Sequence, residues 1–506
     1  MAKTKETVYK LPVTLKCDPA EIENGIDIEI VHKFIKKHQA QIVRYEYLKS
    51  MYDGFHGIFD LPSKDEWKPD NRLAVGFPEY LVTTFQGYAY GIAPKIAHPD
   101  ESINDSVQSF LSSTHFDDFF YELTTGGDVY GHCWAYLYQD EETQTKITHF
   151  TPKELFCVYD DTLKGRALFA VRYGVHGEES KNKGKLYGEV LTADEIKPFE
   201  DKAYTESETK PNPYGMIPVV ECRLNDRRKS LFEAVCGMTE LYNKALSEKG
   251  NDVDAFAEAY LAIIGVEVNE EGYRQIRDKR LINIFGTNNA DKVKDYLIQF
   301  LQKPTADETQ ENLLDRLERL IFQVSMVANI SDESFANAAS GEALAYKLWN
   351  TSNLGNTYDR KNTKTIEKIF KIWCSLSTNC SSQDAWKDIE VTMTRNLPKN
   401  LKSEADVARS LEGVVSKETQ LKVLSIVDDP AAELERIDEE EAESMAQVTS
   451  TGGFGGITSA STYEITSLLR KLQKGEITRN NAIRMFKHIG LSEDEAVQLM
   501  DDRNVI

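Results

Sequence analysis

The chain has 506 residues, 41% of them hydrophobic and 10% aromatic, which is enough for roughly two to four domains with cores of their own and excludes a disordered protein. Acidic residues outnumber basic ones by 82 to 60, for a net charge of -22, which excludes a broad basic surface of the kind that grips nucleic acid by neutralising phosphates. Seven dispersed cysteines (Cys17, Cys133, Cys157, Cys222, Cys236, Cys374, Cys380) without CxxC spacing exclude a zinc knuckle and a disulfide framework, and point to free thiols in a reducing compartment.

Residues 1–26, which begin MAKTKETVYK, are mostly polar and carry no apolar leader, so they read as a mobile arm. No run approaches the roughly 18 apolar residues of a membrane span, and the chain reads as soluble and cytoplasmic. From Ile28 to about Tyr52, the spacing of Val31, Phe34, Ile35, Ile42, Tyr45 and Leu48 predicts an amphipathic helix. A loop rich in Pro, Lys and Asp follows (62–71), then a helix over Tyr80–Tyr90 closed by Gly91 and Pro94. Within 128–222, the runs Cys133–Tyr138, Leu155–Tyr159, Leu168–Tyr173 and Val219–Cys222 are β-branched and aromatic, predicting a mainly antiparallel sheet in an α+β region.

Helix returns over 231–257, where Leu231, Val235, Met238, Tyr242 and Ala245 make one apolar stripe. A small α/β insert is expected next: strand 259–268, helix 270–278, strand 280–285 and a last segment 293–301. After Pro304, the clearest helix covers about 306–328, with Leu313, Leu317, Leu320, Ile321, Val324 and Val327 as its stripe and Asp307 and Glu308 at its positive end. Its length would be about 35 Å. Asn329–Ser340 breaks the pattern. Helix is expected again over 341–376, a strand over Ile389–Thr394, and helices over 403–412 and 416–446, the last ending in the acidic run Glu433–Glu443. Glycines at 452, 453, 455 and 456 make a joint, and three short helices near 461–474, 478–488 and 492–501 close the chain.

Enzymatic signatures are weak. GGFGGITS (452–459) lacks the Walker lysine and a preceding buried strand, so it reads as linker. His132, in YGHCWAY, has no second His or Cys at metal spacing and reads as a satisfied core histidine. Asp428-Asp429 and Asp501-Asp502 are sequence neighbours, which do not share a helix face. Gly126, Gly127 and Gly131 read as turn glycines beside a strand. Catalytic residues, metal ligands and cofactors are therefore all expected to be none.

Several blocks resemble the portal proteins of long-tailed phages of Gram-positive hosts. Lys68–Arg72 (KPDNR) and Phe77–Gly91 (FPEYLVTTFQGYAYG) form the first. Gly215–Cys222 (GMIPVVEC), Asn225, Phe232-Glu233, Tyr242-Asn243, Ser247, Asn251-Asp252 and Phe256–Leu261 (FAEAYL) form the second. Ser331–Leu344 (SDESFANAASGEAL) follows, and then Asp428-Asp429-Pro430, Glu433 and Arg436. The blocks keep the family's order from about 68 to 440. Ala336 and Ala338 depart from the glycines often found there, and the last 50 residues match in helical character only.

The resemblance implies an α+β portal fold and a head–tail connector subunit in a closed homododecamer, usually twelve copies in the virion. The channel of this ring would carry DNA during packaging and ejection. Residues 27–225 and 341–400 would be the wing, 226–258 and 304–328 the stem helices, 259–303 the clip, 329–340 the tunnel loop and 401–506 the crown and its flanks. Asn329, Ser331, Asp332, Ser334, Asn337 and Ser340 would lie nearest the DNA, and Lys244, Lys249, Arg316 and Arg319 would line the channel wall or pair between subunits. Arg274, Arg277, Lys279 and Arg280 would dock terminase and, later, a head-completion adaptor. Implied partners are further copies of the chain, terminase, the adaptor, scaffold, the major capsid protein and loosely held double-stranded DNA. The implied location is the virion, after assembly in host cytoplasm. Two alternatives stay open: another phage head or connector protein that binds only proteins, and an enzyme with an unrecognised site.

Overall fold

The computed structural model describes residues 10–65, 68–177, 183–257, 260–264, 297–301, 307–330, 345–396, 401–424, 426–427, 430–451 and 478–488, with parts of 492–497. Two compact units divide at 397/398. Helices and strands mix throughout the first, so the chain is α+β.

In the first unit, β1 (Leu15–Cys17) leads into α1 (Ile28–Tyr52), whose N-terminus is capped by the Asp27 carboxylate accepting from the Glu29 amide. Next come α2 (Phe77–Tyr90), β2 (Lys95–Ala97), α3 (Glu101–Ser113) and α4 (Phe116–Tyr130). Nine strands follow: β3 (His132–Gln139), β4 (Thr145–Phe150), β5 (Leu155–Asp160), β6 (Ala167–Val175), β7 (Leu186–Leu191), β8 (Glu195–Glu200), β9 (Ala203–Tyr204), β10 (Lys210–Pro211) and β11 (Val219–Arg223). A seven-stranded sheet runs β1-β5-β6-β7-β8-β10, with β9 paired to β8. It is antiparallel except for β1 on β5. A second sheet runs β11-β3-β4.

One face of α1 serves two cores. Val31, Phe34 and Ile35 pack on Phe156, Val158, Phe169 and Val171 of the large sheet. Tyr45, Leu48 and Met51, further along the same helix, enter the main core with α2, α4 and the later helix α7 (Trp349–Trp373). There Phe110 and Phe116 meet Phe370, with ring centroids 5.9 and 6.4 Å apart. The glycines near 126 depart from expectation. Gly126 and Gly127 lie inside α4, where a Cβ on Gly126 would come 2.8 Å from the Cys133 sulfur, so smallness serves packing. Gly131 is the turn residue, at φ +91°, and a Cβ there would meet the Arg228 carbonyl oxygen at 2.0 Å.

Helix α5 covers Cys236–Ala257, not 231–257, so Leu231 and Val235 are buried in the turns that lead into it. Strands β12 (Tyr260–Ile264) and β13 (Leu297–Leu301) pair antiparallel. The expected helix 270–278 and strand 280–285 lie outside the described residues. Helix α6 covers Asp307–Ser325, about 28 Å and shorter than expected. It ends because Met326 adopts φ +63°, a left-handed conformation that cannot continue a helix. Its buried stripe is Leu314, Leu317, Ile321 and Ser325, whereas Leu313 and Val324 are exposed. Strand β14 (Glu390–Thr392) pairs with β2 and is shorter than the expected 389–394.

In the second unit, the expected helix 416–446 is two: α9 (Lys417–Leu421), after α8 (Leu401–Ser410), and α10 (Pro430–Thr451). Pro430 stands where its missing N–H costs nothing, at the first helical position. The short helix expected near 478–488 is α11 (Arg479–His488); the glycine joint and the helix near 461–474 lie outside the described residues.

Candidate functional site

The long helices α5 and α6 pair, and Lys249 with Glu311 and Gln310 with Asp252 (3.2 Å) join them near the ends that lead to the β12–β13 ribbon. Their junction with the main core is aromatic. Phe77 at the start of α2 meets Tyr242 of α5 at 5.0 Å and Phe322 of α6 at 6.1 Å, both edge to face, and Tyr80 meets Phe322 at 5.7 Å.

The face of α5 turned to the protein is polar. Thr239, Asn243, Ser247 and Asn251 recur every fourth residue, which places them on one stripe, and all four are buried. Three of them receive the backbone of the segment before α2. The amide of Val75 donates to Asn243 Oδ1 (2.9 Å), that of Leu73 to Ser247 Oγ (2.9 Å) and that of Asn71 to Asn251 Oδ1 (2.6 Å). Four helical residues rise about 6 Å and two extended residues span about 6.6 Å, so every turn of α5 meets every second amide of the strap. His56 closes the ladder. Its Nε2 bonds the Met51 carbonyl (2.9 Å), leaving Nδ1 to accept from Asn243 Nδ2 (2.6 Å). Asn71 Nδ2 also donates to Asp254, and Lys64 pairs with Glu248 at 2.9 Å.

Reading for apolar periodicity missed this stripe, because a row of Thr, Asn and Ser looks like a solvent face. The signal lay partly in the blocks themselves: Asn71 of KPDNR (68–72), with Leu73 and Val75 just after it, and the residues Asn243, Ser247 and Asn251, 168 to 180 positions further on, are the two sides of one ladder.

Of the expected channel-wall residues, Lys244, Arg316 and Arg319 are exposed. Lys249 is paired within the chain to Glu311. Arg319 bonds the Asp315 carbonyl one turn back (3.3 Å), and Asn329, just after α6, donates to Glu318 (3.2 Å). The next stretch is fastened at its base: Thr351 of α7 accepts the Ala328 amide and donates to the Met326 carbonyl, each at 3.0 Å. Ser331, Asp332, Ser334, Asn337 and Ser340 lie outside the described residues, as do Arg274, Arg277, Lys279 and Arg280.

A buried charge cluster anchors the lead-in to α5. Arg44, 1% exposed, forks onto Glu233 (2.9 and 2.6 Å) and reaches the carbonyls of Tyr130 and Arg228. Arg228 pairs with Glu221 at 2.5 Å and donates to Thr14 at 2.7 Å. Burial pushes the Glu221 carboxyl up, but His132 and Arg228 outweigh it and hold the group below the usual carboxylate range. Burial lowers His132, which is neutral, with Nε2 at 2.9 Å from the Tyr45 hydroxyl. Its Nδ1 lies 3.2 Å from the Glu221 carboxylate, so the ring sits between Tyr45 and Glu221 as a buried core histidine. The thiols are buried, and desolvation pushes Cys133 and Cys236 up to about 12, far from a nucleophile's range.

Comparison with known proteins adds to this geometry. The sequence profile of the family described as "Phage portal protein, SPP1 Gp6-like" matches residues 31–447. The portal protein of Bacillus phage SPP1 is 23% identical over 403 residues, covering 74% of this chain and 77% of that one. The portal protein of Clostridium phage phiCD119 is 24% identical over 389 residues, covering 71% and 82%.

Proposed function

Because the chain belongs to the phage portal protein family of the SPP1 Gp6-like type, we propose that it is the subunit of a closed ring, twelve in the virion, whose channel passes DNA during packaging and ejection. The family is a structural component of the phage and not a group of enzymes. In this reading, α5 and α6 are the stem and stand in the ring wall, and the wing is built from 27–225 and 341–400. Residues 259–303 are the clip that docks terminase and then the adaptor, 329–340 the loop nearest the DNA, and 401–506 the crown. Scaffold and major capsid protein surround the wing at the capsid vertex.

The observation that carries the reading is the ladder. A pair of long helices serves as a wall element only if its tilt against the rest of the subunit is fixed. Asn243, Ser247 and Asn251 fix it by seating the strap turn by turn. The fastening of Ala328 and Met326 to Thr351 likewise gives the segment beyond 330 a fixed origin. Negative-stain imaging of the purified protein tests the reading. Axial views showing a ring with a central hole are expected, and a monomer or dimer under all conditions would overturn it.

A further inference from the structure

We propose that the outer face of α7 is a docking row for an acidic helix of a partner protein. The inference does not rest on the ring reading. Lys361, Lys364, Lys368 and Lys371 follow one another at i, i+3, i+7 and i+10, which puts them on one face of the helix over about 15 Å. The opposite face, with Ile366, Ile369, Phe370 and Trp373, is buried in the main core, so the row is turned outward. Lys364, Lys368 and Lys371 are exposed.

The row is poorly matched within its own chain. Lys361 pairs with Asp226 at 2.7 Å, and Arg223 of β11 reaches the same carboxylate at 3.4 Å. Lys371 lies over the Trp386 ring, 5.3 Å from its centroid. Lys364 and Lys368 make no ion pair among the described residues. Partial desolvation lowers the Lys368 pKa, and Arg223, Lys364 and Lys371 lower it further, against the opposing pull of Glu221. Glu221 is no partner for it, because Arg228 holds that carboxylate with two bonds. Like charges are thus crowded on one strip of a chain whose net charge is -22.

Geometry and charge select a helix bearing carboxylates over a nucleic-acid duplex. The lysines rise in steps of about 4.5, 6 and 4.5 Å, the steps that acids at i, i+3, i+7 and i+10 make on a second helix laid alongside. The anion already seated at one end of the row, Asp226, is itself a carboxylate and is largely exposed. A phosphate backbone would meet that fixed negative charge and the acidic field of the whole chain. A short acidic helix brings few charges and reaches Lys364, Lys368 and Lys371 beyond Asp226. Each exposed pair contributes little alone, so affinity depends on several forming in register.

Fluorescence anisotropy on the full chain at about 50 mM salt tests the proposal. The probe is a labelled helical peptide with glutamates at i, i+3, i+7 and i+10, and its control is an isomer with the same glutamates spread around the helix. The matched peptide is expected to bind about tenfold tighter than the isomer. Lys364→Glu with Lys368→Glu should weaken the matched peptide about tenfold, with melting curve and oligomeric state unchanged. A peptide with lysines in place of the glutamates should then bind the double variant. Equal affinity for the two isomers would overturn the proposal whether or not the variant folds. So would a folded double variant that loses a short duplex but keeps the matched peptide, which would mark a phosphate surface. A folded double variant that no longer assembles as the wild type does would make the row a contact between copies, and overturn the proposal too.

Discussion

Asn243 carries more than one interaction, and its loss should show. It accepts the Val75 amide and donates to His56 from a fully buried position. Asn243→Ala therefore strands a buried N–H and an imidazole nitrogen, and a loss of about 1–3 kcal/mol is expected for the first alone. Urea unfolding monitored by circular dichroism checks it, and Asn243→Leu should be at least as costly, because apolar volume cannot replace an acceptor. Asp128 behaves differently. It is fully buried, Gln86 donates to one carboxylate oxygen at 2.6 Å, and the other has no partner among the described residues. Burial raises its pKa well above the ordinary 3.8, against the smaller opposing pull of Gln86. The folded state thus holds a proton that the unfolded state releases. This stability is intact below pH 3.8 and is lost as pH rises toward the folded-state value, with a slope of up to about 1.4 kcal/mol per pH unit. Asp128→Asn should match the wild type near pH 4 and exceed it increasingly at higher pH. Melting temperatures across that range that ran parallel would show an ionised, partnered carboxylate instead. Neither residue's role was legible in the sequence: Asn243 stood out as part of a family block, but its burial depends on a strap whose nearest rung, Val75, lies 168 residues earlier.

The helix pair sets the next scale. On α6, Leu313, Leu320 and Val324 share one stripe, since they are separated by seven and four residues. Leu313 and Val324 are 40% and 42% exposed, and Leu241 of α5 is 47% exposed. Phe322 points elsewhere, onto Phe77 and Tyr80. In the proposed ring, a neighbouring subunit covers this stripe. Leu313→Ser with Val324→Ser should then leave the isolated subunit's stability within about 0.5 kcal/mol, as for ordinary surface changes, while shifting native mass spectra from rings toward monomers. Intact rings at unchanged yield would remove these two residues from the subunit contact. Periodicity found both helices because each carries apolar residues over several turns. It misjudged which residues face inward on α6, because Leu313 and Leu314 are equally apolar and only packing decides between them. Helix ends were less legible: α6 stops at a left-handed Met326, and α5 begins after buried apolar residues that continue its spacing without its backbone conformation.

Charge acts at the scale of the whole molecule. With 82 acidic and 60 basic residues, the chain repels a polyanion at long range, and basic residues near the helix pair act against that background. Arg316 and Arg319 of α6 lie on a helix that also bears Asp307, Glu308, Glu311, Asp315 and Glu318. In the proposed ring, a duplex would meet a few point contacts from the basic side chains of these two helices. Such contacts release few counterions, so binding should be weak and should change little with salt. Fluorescence anisotropy with a short duplex is expected to show little binding at about 150 mM salt, where the Debye length is about 8 Å. At low salt, binding should be modest, and Arg316→Glu with Arg319→Glu should weaken it further without changing ring size. Tight binding with a steep salt dependence would mean that many phosphates are neutralised together, which would count against the proposed sliding channel. The acidic balance read from composition and the exposed arginines placed by the fold thus lead to one measurable quantity, the slope of affinity against salt.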